Sequence, residues 1–167
     1  MFSPEQLDLA RRVLDRCRAR KMMLATAESC TGGLIAACLT EIAGSSDVVD
    51  RGFVTYSNEA KQADLGVDPD LVMKHGAVSE PVARAMAEGA IKRSRAAIAV
   101  SCSGVAGPGG GSVDKPIGLV HIACAQSGRA TIHLPRRYGN IGRSPIRLKT
   151  LEDALTLVLR QLGDSPS

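Results

Sequence analysis

Three observations predict a three-layer α/β/α sandwich with a mostly parallel, mixed five-stranded sheet and a C-terminal hairpin. Amphipathic stretches and short apolar runs follow one another in the order α-β-α-β-α-α-α-β-β-β-α, the pattern of helices crossing over a sheet. The last two apolar runs flank Ser127-Gly128, a hairpin turn that forces at least one antiparallel strand. The chain has 167 residues, 44% hydrophobic and 23% charged, enough for one core spanning residues 1–167 as a single domain.

Each element has a local cause. Ser3-Pro4-Glu5 supplies an N-cap, a proline at the first helical position and an acid at the positive helix end. That helix carries Leu7, Leu9, Val13 and Leu14 and fades at the basic run 18–21. Met22 to Thr26 reads as a buried strand, and Gly32-Gly33 opens a helix from Leu34 to Ile42. Asp50 to Tyr56 is a second strand. Asn58 starts a short helix that stops near Gly66, and Asp68-Pro69 starts another ending near Gly76. Ser79-Glu80-Pro81 begins an alanine-rich helix, and Ala96 to Cys102 is a third buried strand. The segment 103–116 holds five glycines and two prolines and reads as a loop. Ile117 to Ala125 and Arg129 to Pro135 form the hairpin, Ile146 to Leu162 the closing helix, and 163–167 a polar tail.

Composition excludes several function classes. Aromatic residues are 2% of the chain, with no Trp, so base-stacking platforms for single-stranded nucleic acid are ruled out. A net charge of +4 without a dense Lys/Arg block does not call for a polyanion partner. Five cysteines form no C-x-x-C pair and are odd in number, which suggests neither a zinc site nor a disulfide framework. The start lacks a basic n-region followed by an apolar stretch, and no run reaches the roughly 18 residues of a membrane span. The expectation is a reduced, cytoplasmic protein with no nucleic-acid or membrane partner.

Ligands in such folds sit beyond the carboxyl ends of the parallel strands, where three loops lie. The first is Ala27-Glu28-Ser29-Cys30-Thr31-Gly32-Gly33, whose free N–H groups at a helix start suit an anion or oxyanion. The plain alternative makes Ser29 or Thr31 an N-cap. Cys30 competes with Ser29 as nucleophile, because a helix N-terminus lowers a thiol pKa, yet no loop offers it a histidine base. His75, His121 and His133 read as structural or exposed, and their spacing suggests no metal.

In the second loop, Tyr56-Ser57-Asn58-Glu59-Ala60-Lys61, an N-cap at Asn58 puts Lys61 at the third helical position, facing the positive helix end. The dipole and burial would both push its pKa down from about 10.4, and a neutral amine can serve as base for a serine. A solvated surface lysine is the plain alternative. The third loop, Ser103-Gly104-Val105-Ala106-Gly107-Pro108-Gly109-Gly110-Gly111, brings main chain close to a ligand but matches neither a Walker loop nor a dinucleotide fingerprint. Arg143, read as lying just ahead of the closing helix, offers a guanidinium for phosphate.

Together these motifs, with Lys115-Pro116-Ile117-Gly118-Leu119-Val120, resemble the CinA C-terminal domain family over nearly the whole chain, in its stand-alone form. The resemblance implies an α/β/α sandwich and a nicotinamide-nucleotide amidohydrolase, which converts nicotinamide mononucleotide to nicotinate mononucleotide and ammonia, with no cofactor and no metal. It implies Ser29 as nucleophile, Lys61 as its base and Tyr56 within the same hydrogen-bonded group. Cys30, Thr31, Gly32, Ser103, Gly104 and Arg143 then form the substrate-binding set, with glycine-loop amides and Arg143 on the nucleotide phosphate. The family usually has Gly-Asp before that arginine, where this chain has Ile141-Gly142. A homodimer is the expected assembly. Two other readings use the same loops: a catalytically silent nucleotide-binding or regulatory module of the competence or DNA-damage response, and a cysteine hydrolase built on Cys30.

Overall fold

In the computed structural model, which describes residues 1–163, the sheet has the strand order β2-β1-β3-β4-β5. The strands are β1 (Leu24–Glu28), β2 (Val49–Val54), β3 (Ile98–Gly104), β4 (Leu119–Gln126) and β5 (Arg129–Arg137). β1 pairs in parallel with both β2 and β3, whereas β4 runs antiparallel to β3 and β5. The helices are α1 (Pro4–Ala19), α2 (Leu34–Thr40), α3 (Asn58–Leu65), α4 (Pro69–His75), α5 (Glu80–Lys92) and α6 (Arg143–Gln161). α1, α2 and α6 cover one face, and α5 with α3 and α4 covers the other, giving the predicted three layers. Of the expected tail at 163–167, all but Gly163 lies outside the described residues.

Local chemistry fixes the ends of these elements. Ser3 and Gln6 form a reciprocal capping box at the start of α1, behind Pro4. The buried stripe of α1 is Ala10, Val13, Leu14 and Cys17, while Leu7 and Leu9 pack at its rim. The central strands run about two residues further than expected at their carboxyl ends. The cause is polar residues that are buried because they are satisfied: Glu28 by backbone amides, Ser101 by the Ala83 carbonyl at 2.6 Å and Ser103 by the Ala77 carbonyl at 2.7 Å. The expected glycine loop therefore loses Ser103 and Gly104 to β3. α6 starts at Arg143, so that arginine lies in its first turn rather than ahead of it. Ser57, not Asn58, caps α3 by accepting from the Ala60 amide at 3.0 Å, which moves Lys61 one position further into the helix.

Small residues bring the layers together in place of aromatics. Ala83 and Ala87 of α5 meet Ala123 and Ala125 of β4. A Cβ at Gly89 would lie 2.1 Å from the Leu65 carbonyl oxygen, so this glycine lets the end of α3 rest directly on α5. The Leu65 contact sets the height of the helix that carries Lys61.

On the same face of the hairpin, His121 Nδ1 and His133 Nε2 lie 2.9 Å apart with stacked rings, and Glu80 approaches His133 at 3.4 Å. Burial lowers the pKa of both imidazoles, and at His121 the neighbouring His133 ring lowers it further. Folding thus favours the neutral pair, and stability should fall as pH drops below about 6.5, where unfolded histidines take up protons. Urea midpoints measured between pH 7.5 and 5 should decline more steeply for the natural chain than for a His121→Gln/His133→Gln variant. Equal slopes would contradict this. Removing the Glu28 carboxylate should destabilise the fold by about 2 kcal/mol or more, since several amides lose their acceptor. Urea denaturation of Glu28→Ala should show it, with Glu28→Gln intermediate.

Candidate active site

Register brings three chain segments to one edge of the sheet. Glu28 stands between Val54 of β2 and Cys102 of β3, so the next residues, Ser29, Thr55 and Ser103, emerge side by side. The Ser29 amide donates to the Cys102 carbonyl at 3.1 Å, and the Thr55 amide to the Glu28 carbonyl at 2.9 Å. A cavity of about 330 Å³ opens there. Seven of the nine predicted site residues line it: Ser29, Cys30, Tyr56, Lys61, Ser103, Gly104 and Arg143. Asn58, Ala77 and Val78 join them, as does the glycine segment at Gly107, Gly109 and Gly110.

Lys61 is the most unusual of these side chains. It is 1% exposed. Its Nζ lies 3.1 Å from Ser29 Oγ, donates to the Thr55 carbonyl at 2.9 Å and faces the Ser57 carbonyl at 3.5 Å. Among the described residues no carboxylate pairs with it. Burial accordingly pushes its pKa below the ordinary lysine value. Three oxygens, the two carbonyls and Ser29 Oγ, thus surround the amine.

The turn after β1 departs from expectation. Its helix-start amides are not free for a ligand, because the fully buried Glu28 side chain accepts from Gly33 at 3.0 Å, Ile35 at 3.0 Å and Ala36 at 2.8 Å. Thr31 Oγ1 also donates to Glu28, at 2.6 Å. Thr31 and Gly32 therefore do not line the cavity: the Thr31 side chain faces inward, and the Gly32 amide bonds to the Ser29 carbonyl at 3.0 Å. The Cys30 and Thr31 amides carry no acceptor among the described residues, and they follow the serine directly. Glu28 was within view in the sequence motif, and a carboxylate three to eight residues ahead of helical amides is the signal that identifies such a cap.

Cys30 is an unlikely-looking thiolate in this setting for a physical reason: its neighbour Cys102 and burial raise its pKa well above the ordinary thiol value. The expected lowering by the helix end is absent because Glu28 already neutralises that end. Tyr56 stands on the cavity rim, 59% exposed, and its hydroxyl accepts from Arg143 Nη2 at 2.7 Å. It does not join the Ser29–Lys61 pair as expected. Arg143 Nη1 donates to the Gly107 carbonyl at 2.8 Å, so one guanidinium ties the Tyr56 loop to the glycine segment. Gly104 permits close strand contact, since a Cβ there would lie 2.6 Å from the Val120 side chain.

Among the described residues no helix is long and apolar enough to cross a membrane. A family model for the CinA C-terminal domain matches residues 6–162. The chain is 50% identical over 150 residues to a "CinA-like protein" of Syntrophobacter fumaroxidans, covering 90% of this chain but 35% of that protein. It thus spans about a third of the length of that relative. It is 53% identical over 125 residues to the "Nicotinamide-nucleotide amidohydrolase PncC" of Escherichia coli, covering 75% of this chain and 76% of that one. The crystal structure of the competence/damage inducible protein CihA from Agrobacterium tumefaciens superposes with a TM-score of 0.95 at 52% identity, over 98% of this chain and 99% of that one. Fold, site motifs and these matches agree: the chain belongs to the CinA C-terminal domain family.

Proposed function

We propose that the protein is a nicotinamide-nucleotide amidohydrolase, which hydrolyses the linear carboxamide of nicotinamide mononucleotide to nicotinate mononucleotide and ammonia through a Ser29–Lys61 dyad. The observation that carries this reading is a buried lysine with no carboxylate partner among the described residues, 3.1 Å from a serine hydroxyl at the edge of a cavity of about 330 Å³. The similarity to PncC supports the choice of substrate.

Neutral Lys61 accepts the Ser29 proton as Oγ bonds to the carboxamide carbon. The carbonyl oxygen becomes an oxyanion, which the Cys30 amide, directly after the serine, can receive. Protonated Lys61 then gives its proton to the departing nitrogen, the C–N bond breaks, and ammonia leaves an acyl-enzyme. Water loses a proton to Lys61 as it attacks the ester carbon, and that proton returns to Ser29 Oγ as nicotinate mononucleotide is released. Arg143 and the glycine segment, which both line the cavity, would receive the nucleotide phosphate.

Ammonia release from nicotinamide mononucleotide tests this directly. Ser29→Ala and Lys61→Met should each lower kcat by about a thousandfold or more. In the natural chain kcat/KM should rise with pH as Lys61 loses its proton, and level off below the ordinary lysine pKa of about 10.4. Activity should survive exhaustive chelation. Activity lost in Cys30→Ala but kept in Ser29→Ala would move the nucleophile to the thiol. Saturable nucleotide binding without ammonia release would favour the regulatory-module reading.

A further inference from the structure

The nucleophile turn is held from two sides by opposite charges, and the second of them has no part in the chemistry above. Arg147 of α6 reaches across to donate from Nη2 to the Thr31 carbonyl at 2.7 Å. It stands one helical turn beyond Arg143, so a single face of α6 holds the Ser29 turn, the glycine segment and Tyr56 together. The turn is shaped to receive it. Gly32 adopts a left-handed φ of +60°, and a Cβ there would come within 3.4 Å of Arg147 Nη2. On the other side Glu28 holds the Thr31 hydroxyl and the amides of Gly33, Ile35 and Ala36. With the Thr31 side chain and carbonyl both anchored, the peptide units that carry the Cys30 and Thr31 amides have little freedom left.

We infer that Arg147 is a positioning residue, which aims the amide of Cys30, a residue of the cavity wall, at the oxyanion by fixing the adjoining Thr31 carbonyl. This rests on the amidohydrolase reading for its chemical consequence, but not for the geometry. Its effect falls on the transition state, because the amide meets full negative charge only there. Arg147 contacts neither Ser29 nor Lys61, so it leaves the protonation of the dyad alone.

Arg147→Ala and Arg147→Lys, assayed for ammonia release from nicotinamide mononucleotide, should separate this from a structural role. In Arg147→Ala kcat should fall by about 100-fold, as expected when a reacting geometry is loosened from a distance, with KM changed less than about threefold. The pH midpoint should stay where it is. Added methylguanidinium should restore part of kcat, and Arg147→Lys, which keeps one donor, should be intermediate. Independently of any reaction, the NMR shifts of the Cys30 and Thr31 amides and the Thr31 carbonyl carbon should move in Arg147→Lys and Arg147→Ala. Unchanged shifts, a kcat within threefold of the natural chain, a loss confined to KM, or a moved pH midpoint would overturn the inference. If the natural chain released no ammonia, the amidohydrolase reading would fail, and the shifts alone would decide the positioning role. Should Arg147→Ala fail to fold, Arg147→Lys carries the same readouts.

Discussion

An ammonium ion at 1% exposure, surrounded by two carbonyl oxygens and a hydroxyl, lacks both water and an anion to stabilise its charge. That constraint on Lys61 organises the whole site. It lowers the pKa of the amine below the ordinary lysine value, and in the proposed reaction the neutral amine beside Ser29 is the base. Its placement depends on the fold at some distance. Ser57 caps α3, Gly89 lets that helix lie against α5, and β2 delivers the Thr55 carbonyl that orients the amine.

The buried carboxyl group at the end of β1 is held by main chain. Glu28 follows Lys61 in importance because its carboxylate is committed to three amides and a hydroxyl of the turn that it precedes. The helix end thereby loses its pull on external anions, and the two amides left over follow the serine. Cys30 is held as a thiol rather than a thiolate nucleophile, as its raised pKa requires. A site with the proposed amine base and oxyanion receptor suits acyl transfer from a neutral amide to the serine.

Much of this was legible in the residues. Crossover order and the Ser127-Gly128 turn led to the correct layers and hairpin, and the rule that ligands sit at the carboxyl ends of parallel strands led to the three loops that line the cavity. What stayed hidden was burial of polar side chains. Glu28 and Ser103 read as loop residues just past apolar runs, yet each is satisfied by main chain and continues its strand inward. Thr31 and Gly32 were assigned to the ligand for the same reason: only coordinates reveal that a side chain already fills the helix end. The partner of Tyr56 is 87 residues away, and that of Thr31, Arg147, is 116 away, so no local pattern announces them.

The charge of Lys61 is the point on which the account stands. Titrating its Nζ and Cε resonances by NMR, with Lys61→Met to assign the signal, measures it without substrate. The account predicts a pKa clearly below the ordinary lysine value of about 10.4, moving little when Ser29 is replaced by alanine. A Lys61 that titrates at or above that value would contradict it.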